Sequence, residues 1–207
     1  MKQNRTFLFL TMVAASNLMR GEPLPGEHER VDEAMAIKVK AAYLFRFTQF
    51  VTWPADAFQD DHSPIVIGVV GADPFGPVLD QTIKDRTVSE RELKVQRFQW
   101  RVGDDTSALK KCHLLYVSPS LGDSVAPLIV AMAHSPIVLV GEGAEFAKNG
   151  GTLGFVIEVG RIVFWANQKA AETAKLVLSS LLLKLARLVE DVAVGQDRET
   201  PKGKTSD

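Results

Sequence analysis

The sequence predicts a single three-layer α/β domain: a mixed, largely parallel β-sheet of about five to six strands with a C-terminal hairpin, flanked by helices. Three observations support this fold class. The 207 residues suffice for one domain of ordinary size with a full hydrophobic core. Short apolar runs alternate with helical patterns, which is typical of parallel strands joined by helices. Two extended runs that meet at a glycine follow in the last third of the chain, and they indicate a hairpin.

The first helix is expected to begin with Asp32 as its N-cap and to end before Pro54, because a proline disfavours helical geometry at the preceding Trp53. Apolar side chains recur at spacings of three and four between these limits, and several aromatic residues widen the apolar stripe. The helix is therefore expected to be largely buried, although an aromatic-rich helix can also be a contact surface.

Four runs of sequence predict the main strands. Continuous apolar runs predict buried strands over residues 65–70, 113–117 and 136–140. An alternating run over residues 93–100 predicts a strand nearer the sheet edge with one exposed face. Helical patterns between these runs make the buried strands parallel to one another.

The remaining elements complete the domain. A short helix is expected to start at Pro74 with Asp73 as its N-cap, and a second helix covers residues 125–133. Residues 152–159 and 161–166 predict the antiparallel hairpin. From Lys169 to about Val192 the periodicity predicts one long amphipathic helix.

Composition and charge exclude several classes of protein. Hydrophobic residues make up 46% and charged residues 24% of the chain, which excludes wholesale disorder, collagen-like sequence and a polytopic membrane protein. With 24 Lys and Arg against 25 Asp and Glu, the formal net charge is -1, and no long basic run occurs. Nothing in this pattern indicates nucleic-acid binding.

The N-terminal residues have the layout of a secretory signal peptide. Lys2 and Arg5 precede an apolar run over residues 7–15, and small side chains follow up to Ser16. A buried helix or a short anchor is the alternative, but this run is too short for a hydrocarbon core of about 30 Å. No cysteine lies nearby, so we expect no lipid anchor. The protein is therefore predicted to be periplasmic.

The signal pattern and the periodicity set the expected boundaries. Residues 1–16 are the signal peptide, residues 17–31 a flexible lead and residues 32–192 the α/β domain. Residues 193–207 are polar and charged without apolar periodicity, so we expect a disordered tail there.

A search for catalytic, cofactor and metal motifs finds none. The segment from Gly68 to Gly76 follows a strand and opens a helix, but its spacing matches neither phosphate-binding fingerprint. The four histidines lie far apart without metal-ligand spacing. Ser118 and Ser120 lack the nucleophile-elbow pattern, and turn chemistry explains them. We therefore predict a protein that is not an enzyme and carries no cofactor or metal.

Candidate contact residues follow the buried strands. In an α/β domain, ligands bind beyond the carboxyl ends of the strands. These positions predict candidate ligand or partner contacts at Gly71, Asp73, Ser118, Gly141 and Glu142.

Cys112 is the only cysteine, so a disulfide within the chain is impossible. Two lysines precede it and could lower the pKa of its thiol, which would make a reactive free thiol. The alternative is an inert, small, buried hydrophobic residue at the start of a strand.

Several segments of the sequence form a recognisable set. They are an aromatic helix with a Trp-Pro stop, a strand and turn, a buried strand, a strand with a glycine-rich segment, and a closing group: residues 39–54, 67–76, 112–118, 138–151 and 164–186. In this order they resemble the YfiR-like family (DUF4154) of periplasmic regulatory proteins. The resemblance covers residues 39–188.

The resemblance implies a regulator. It implies an exported protein that binds the periplasmic part of an inner-membrane signalling protein, a diguanylate cyclase, and represses it, so that cyclic di-GMP and biofilm behaviour respond to envelope conditions. Family disulfides imply redox control, but Cys112 matches one cysteine position without a second cysteine to pair with. Arg46 also departs from the family pattern, where a smaller polar residue is expected.

Two alternatives stay open. A periplasmic small-molecule binding module would use a pocket near Gly71, Ser118 and Gly141. A hydrolase is the other, but it would need a nucleophile and a base that the sequence does not show. The homodimer is a separate question: the first and last helices carry more apolar surface than one sheet face needs, although core packing explains that surface equally well.

Overall fold

The computed structural model describes residues 27–190 of the chain. The predicted signal peptide, most of the predicted lead and the predicted tail lie outside this range. Helix α1 spans Glu27–Phe50, so the prediction of Asp32 as its N-cap is wrong, and Asp32 lies inside the helix. Glu27, Glu29 and Arg30 are good helix formers, and acidic residues suit a first turn, which explains the earlier start. The helix ends ahead of Pro54, as predicted.

The central sheet has eight strands in the order β10-β8-β7-β6-β5-β2-β4-β3. The strands are β2 (Ile65–Val70), β3 (Thr87–Val88), β4 (Arg91–Phe98), β5 (Leu114–Val117), β6 (Val138–Glu142), β7 (Leu153–Glu158), β8 (Arg161–Ala166) and β10 (Arg187–Leu188). Strands β4, β2, β5, β6 and β7 are mutually parallel, and the β7–β8 hairpin is antiparallel. The mixed, largely parallel sheet is confirmed. It exceeds the expected five to six strands because each edge adds a strand of two residues, β3 and β10.

Two further short strands form a separate pair. Strand β1 (Val51–Thr52) continues from α1 and pairs antiparallel with β9 (Val177–Leu178). This pair fixes the end of the first helix to the C-terminal part of the domain.

Helices cover both faces of the sheet, which confirms the three-layer architecture. They are α1, α2 (Pro77–Ile83), α3 (Val125–Met132), α4 (Ala144–Lys148), α5 (Gln168–Thr173) and α6 (Ser180–Leu185). The larger core cluster joins one sheet face to α1, α2, α5 and α6. The smaller cluster joins the opposite face to α3 and to Phe146 of α4.

The predicted single helix from Lys169 to Val192 is wrong. Helix α5 ends at Thr173, and Lys175 adopts a positive φ of 57°, which a helix interior excludes. The side chain of Ser179 then accepts a hydrogen bond from the backbone N–H of Leu182 and begins α6. The apolar period continues through both helices, so periodicity alone could not show that β9 separates them. Val192 itself lies outside the described residues.

Helix α2 also begins later than predicted. Gly76 is its N-cap and Pro77 its first residue, whereas the sequence predicted Asp73 and Pro74 for these positions. A proline again occupies the first helical position, three residues further on, but Gly76 forms no side-chain cap hydrogen bond, and Asp73 bonds elsewhere, as described below. None of the helices within residues 27–190 is long and apolar enough to span a bilayer.

Candidate functional site

A cleft of about 1260 Å³ opens at the carboxyl ends of the parallel strands. Its walls come from the first half of α1, the turn after β2, the residues that follow β5, and the β7–β8 hairpin. Apolar side chains form most of the walls, among them Ile37, Phe75 and Ile162. The position is the one that the fold class favours for ligands, because the loops that follow parallel strands diverge there.

A cluster of three polar side chains lies in this cleft. Lys40 of α1 places its Nζ 2.7 Å from Glu142 Oε1, at the end of β6. The hydroxyl of Tyr116, at the end of β5, donates to the same oxygen over 2.8 Å. The side chains of Lys40 and Glu142 are only 16% and 27% exposed, so solvent screens their attraction less than it screens a surface pair. The helix and two neighbouring strands are thus joined through one carboxylate.

Tyr116 is held by packing as well as by its hydrogen bond. Its ring meets that of Phe75 edge to face at 4.8 Å between centroids. Burial raises the pKa of Tyr116 far above its usual range, and the neighbouring Glu142 charge acts in the same direction. The phenol therefore stays protonated and remains a hydrogen-bond donor to Glu142.

The predicted contact residues are divided between the cleft and its support. Asp73, Ser118 and Glu142 line the cleft. Gly71 has a positive φ of 91°, and a Cβ there would lie 2.8 Å from Ser120 Oγ, so this glycine permits a tight turn beside the cleft. A Cβ on Gly141 would meet the ring of Phe146, so Gly141 serves packing on the opposite face.

Asp73 shapes the mouth of the cleft through its hydrogen bonds. Its Oδ1 accepts from the backbone N–H of Phe75 over 2.7 Å, and its Oδ2 accepts from Arg97 Nε over 2.6 Å. Arg97 also binds Asp80 of α2, and this hydrogen bond lowers the pKa of Asp80. One arginine thus connects the turn after β2 to the helix that follows.

Ser118 and Ser120 form a turn rather than a catalytic pair. The Oγ of Ser120 accepts from the backbone N–H of Ala72 and donates to Ser118 Oγ, at 2.8 Å and 3.0 Å. Ser118 also accepts from the backbone of Ser120 as a cap. No histidine contributes to these hydrogen bonds, so in the described part of the chain neither serine has a base beside it.

Cys112 is a residue of the hydrophobic core and not a part of the polar cluster. It is 3% exposed in the smaller core cluster, and burial raises the pKa of its thiol to about 12. Its Sγ would lie 2.7 Å from a Cβ at Gly68, so the space around the sulfur is fully used. Thiolate formation is disfavoured at neutral pH, and the preceding lysines do not reverse it.

Over residues 33–190 we also find no group of His, Cys, Asp and Glu side chains arranged to hold a metal ion.

The Trp-Pro stop of the first helix has a defined structural role. Trp53 Nε1 donates to the backbone carbonyl of His113 over 3.0 Å. The His113 ring accepts from the backbone N–H of Val66 at Nδ1, contacts the Ala57 carbonyl at Nε2 over 3.2 Å, and stacks on Phe58. Burial lowers the pKa of His113, which fits a neutral ring that accepts at one nitrogen and donates at the other.

Sequence reasoning missed Lys40 and Tyr116. Lys40 is one of several cations of α1, which also carries Lys38 and Arg46, so the sequence does not single it out. Tyr116 is the only polar side chain of its buried strand, which is a signal of a polar contact. Their common partner, Glu142, is more than twenty residues from either, so only the fold brings the three together.

Comparison with known proteins assigns the chain to a family. No curated protein matches the sequence. Residues 37–187 match the family described as YfiR/HmsC-like, which covers the chain from the middle of α1 to β10. The match includes strands β2 to β8 of the central sheet, the first residue of β10, and the three residues of the polar cluster. The chain therefore belongs to the YfiR/HmsC-like family.

Proposed function

We propose that this protein is an exported, non-enzymatic regulator. It binds the periplasmic part of an inner-membrane signalling protein, a diguanylate cyclase, and represses it, which lowers cyclic di-GMP. The observation that carries the proposal is the family match over residues 37–187, because the resemblance to YfiR-like proteins implies this activity.

The surface of the described domain supports binding to another protein. Large apolar side chains are exposed on and beside the C-terminal helix α6, at Val177, Leu181, Leu185 and Leu188. Leu181 and Leu185 are four residues apart and share one side of α6. Exposed apolar side chains that cluster in this way are typical of contact surfaces. We propose that they contribute to the contact with the partner.

Crosslinking in the intact cell envelope tests the partner. A tagged copy expressed in the parent bacterium is crosslinked, purified and analysed by mass spectrometry. We expect an inner-membrane protein with a cyclase output domain, and we expect loss of that partner with Leu181→Glu together with Leu185→Glu. Val130→Glu is the matched control, because Val130 is 75% exposed on α3, on the opposite side of the sheet. Recovery of the protein alone would contradict the proposal.

Deletion of the gene provides an independent test. Loss of a repressor raises cyclic di-GMP in the parent cell, and the wild-type gene restores the original level. Unchanged cyclic di-GMP under several growth conditions would count against repression of a cyclase.

Export is tested on the protein itself. We propose that residues 1–16 act as a signal peptide. Fractionation is then expected to recover the protein from the periplasm, and sequencing of its N-terminus is expected to find the mature chain starting after Ser16. Full-length protein confined to the cytoplasm would refute export.

A small-molecule binding module is the second candidate function. The cleft favours it, because a concave, mainly apolar pocket with a few polar groups is the usual form of a ligand site. A metabolite screen that follows the melting temperature tests this candidate, since a ligand that binds only the folded state raises that temperature.

The homodimer stays a separate proposal, with α1 and α6 as its candidate surfaces. Light scattering after gel filtration measures the mass directly. A mass of one chain at all concentrations would exclude a stable dimer.

A further inference from the structure

We propose that the cleft binds an uncharged small molecule with an apolar body and an amide-like end that both donates and accepts a hydrogen bond. The amide N–H donates to Glu142 and the amide carbonyl accepts from Lys40. This inference rests on the second candidate function, ligand binding at the cleft, and is independent of the proposed repression.

The charges that line the cleft argue for a ligand without net charge. Lys40 and Glu142 neutralise each other at 2.7 Å, and Asp73 is paired with Arg97 at 2.6 Å. The other two charged residues of the lining, Glu33 and Arg161, are exposed and opposite in sign. A charged ligand that reaches the polar cluster would lose its hydration and would find an ionic partner that is already paired. An uncharged ligand avoids that loss.

The polar cluster has unused hydrogen-bonding capacity of both kinds. Lys40 and Tyr116 both donate to Oε1 of Glu142, and no donor among residues 33–190 bonds to Oε2. No buried side-chain oxygen or nitrogen in this range lacks a partner, so Oε2 is reached by solvent. The Lys40 ammonium has three N–H groups and uses one of them on Glu142. A free acceptor and free donors thus lie side by side, which is the complement of an amide.

The rest of the cleft suits an apolar body. Ile37, Phe75, Ile157 and Ile162 contribute apolar walls on different sides. The volume of about 1260 Å³ exceeds what most ligands of drug size fill. Binding to apolar walls adds affinity in proportion to the area removed from water, while the amide end fixes the orientation.

Three compounds with the same body test the ligand class. Phenylpropanamide, phenylpropanoate and phenylpropylamine differ only in whether the polar end is an amide, an anion or a cation. Isothermal titration of the purified protein measures each affinity. We expect the amide to bind at least about tenfold more tightly than either ion. The amide forms hydrogen bonds to both Lys40 and Glu142, whereas each ion can form only one of the two, and a hydrogen bond to a charged group contributes about tenfold in affinity or more.

Variants locate the site. Glu142→Gln is expected to weaken amide binding about tenfold, whereas Glu145→Gln, on the surface of α4, leaves it unchanged. Ala36→Trp fills the cleft and is expected to abolish binding, whereas Ala34→Trp, on an exposed position of the same helix, does not. Circular dichroism melting of every variant confirms that it is folded.

The outcomes separate the ligand class from ligand binding itself. If either ion binds as tightly as the amide and Ala36→Trp abolishes that binding, the cleft is a ligand site but the proposed class is wrong. If the amide binds equally well to Ala36→Trp, or if none of the three compounds binds the wild-type protein, the inference is overturned. Crosslinking and gene deletion test partner binding and repression independently of these results.

Discussion

The ring of Phe146 allows a quantitative test of how the glycine-rich segment after β6 is packed. This side chain is 7% exposed, and it lies between two glycines: a Cβ on Gly141 would be 2.6 Å from its Cγ, and a Cβ on Gly151 would overlap Cε1. Gly141 has no positive φ, so alanine is allowed there by the backbone, and the three nearest atoms that its Cβ would meet all belong to the ring. The cost of Gly141→Ala therefore depends on the presence of Phe146.

The expected free energies follow from these contacts. Phe146→Ala removes a buried ring and is expected to lower the free energy of unfolding by about 3–5 kcal/mol. Gly141→Ala alone forces the ring aside, at about 1–3 kcal/mol. Without the ring the added methyl group loses its three closest contacts, and alanine is then expected to stabilise by about 0.4–1 kcal/mol because it restricts the unfolded chain. The coupling energy between the two substitutions is then about 1.4–4 kcal/mol.

Urea unfolding of the wild type, both single variants and the double variant measures this coupling. Gly68→Ala is the matched control, because a Cβ there meets Cys112 and Leu115 rather than Phe146. Its cost is expected to be the same with and without Phe146→Ala, within about 0.5 kcal/mol. If Gly141→Ala costs equally much in both backgrounds, the packing argument is refuted.

Further predictions concern single groups. Iodoacetamide is expected to leave Cys112 unmodified in the folded protein and to alkylate it after unfolding in urea, because burial raises the pKa of the thiol to about 12, and mass spectrometry of the two samples checks this. The pKa of His113 is lowered in the folded state. As the pH falls below the usual histidine pKa of 6.5, the unfolded chain therefore takes up the proton first, and the protein loses stability on acidification. Urea unfolding at about pH 7.5 and 5.5 should show a larger fall for the wild type than for His113→Gln, and equal falls would disprove this. Tyr116→Phe removes one of two donors to Glu142 and is expected to lower the free energy of unfolding by about 1 kcal/mol. An unchanged free energy of unfolding would contradict this expectation. Asp80→Asn breaks a half-exposed ion pair and is expected to cost less than about 1 kcal/mol in the same assay, so a larger loss would contradict it.

Local signals predicted most of the sheet correctly. Continuous apolar runs identified β2, β5 and β6, alternation identified β4 near the edge, and the glycine between two extended runs identified the β7–β8 hairpin. These features are read from neighbouring residues, which is why sequence suffices for them. The two-residue strands carry too few residues to show any period, and they form only because a partner strand lies beside them.

The C-terminal region shows where periodicity fails. Leu181, Leu185 and Leu188 continue the apolar spacing that begins in α5, so the pattern favoured one helix. The positive φ of Lys175 and the pairing of β9 with β1 interrupt it. Tertiary pairing at this point overrides a helical propensity that is only a weak local preference.

The sequence predicted the position of the cleft, at the carboxyl ends of the parallel strands, but it did not predict two of the three residues of the polar cluster. The rule that ligands bind beyond parallel strands pointed to Asp73, Ser118 and Glu142, which do line the cleft. Lys40 and Tyr116 were absent from the prediction because their role depends on which helix covers which strand. That arrangement is a property of the whole fold, and no local spacing encodes it.

The two short edge strands leave most of each sheet edge open. Many proteins bind extended peptides by adding a strand to an open sheet edge, where each new residue pair contributes main-chain hydrogen bonds. Strand β3 pairs only with residues 91–92 of β4, and β10 pairs only with residues 165–166 of β8. Within the described residues, no strand pairs with the outer side of residues 93–98 of β4 or of residues 161–164 of β8. An extended segment of a partner therefore has main-chain positions to pair with at both edges, besides the side chains of the helices and loops.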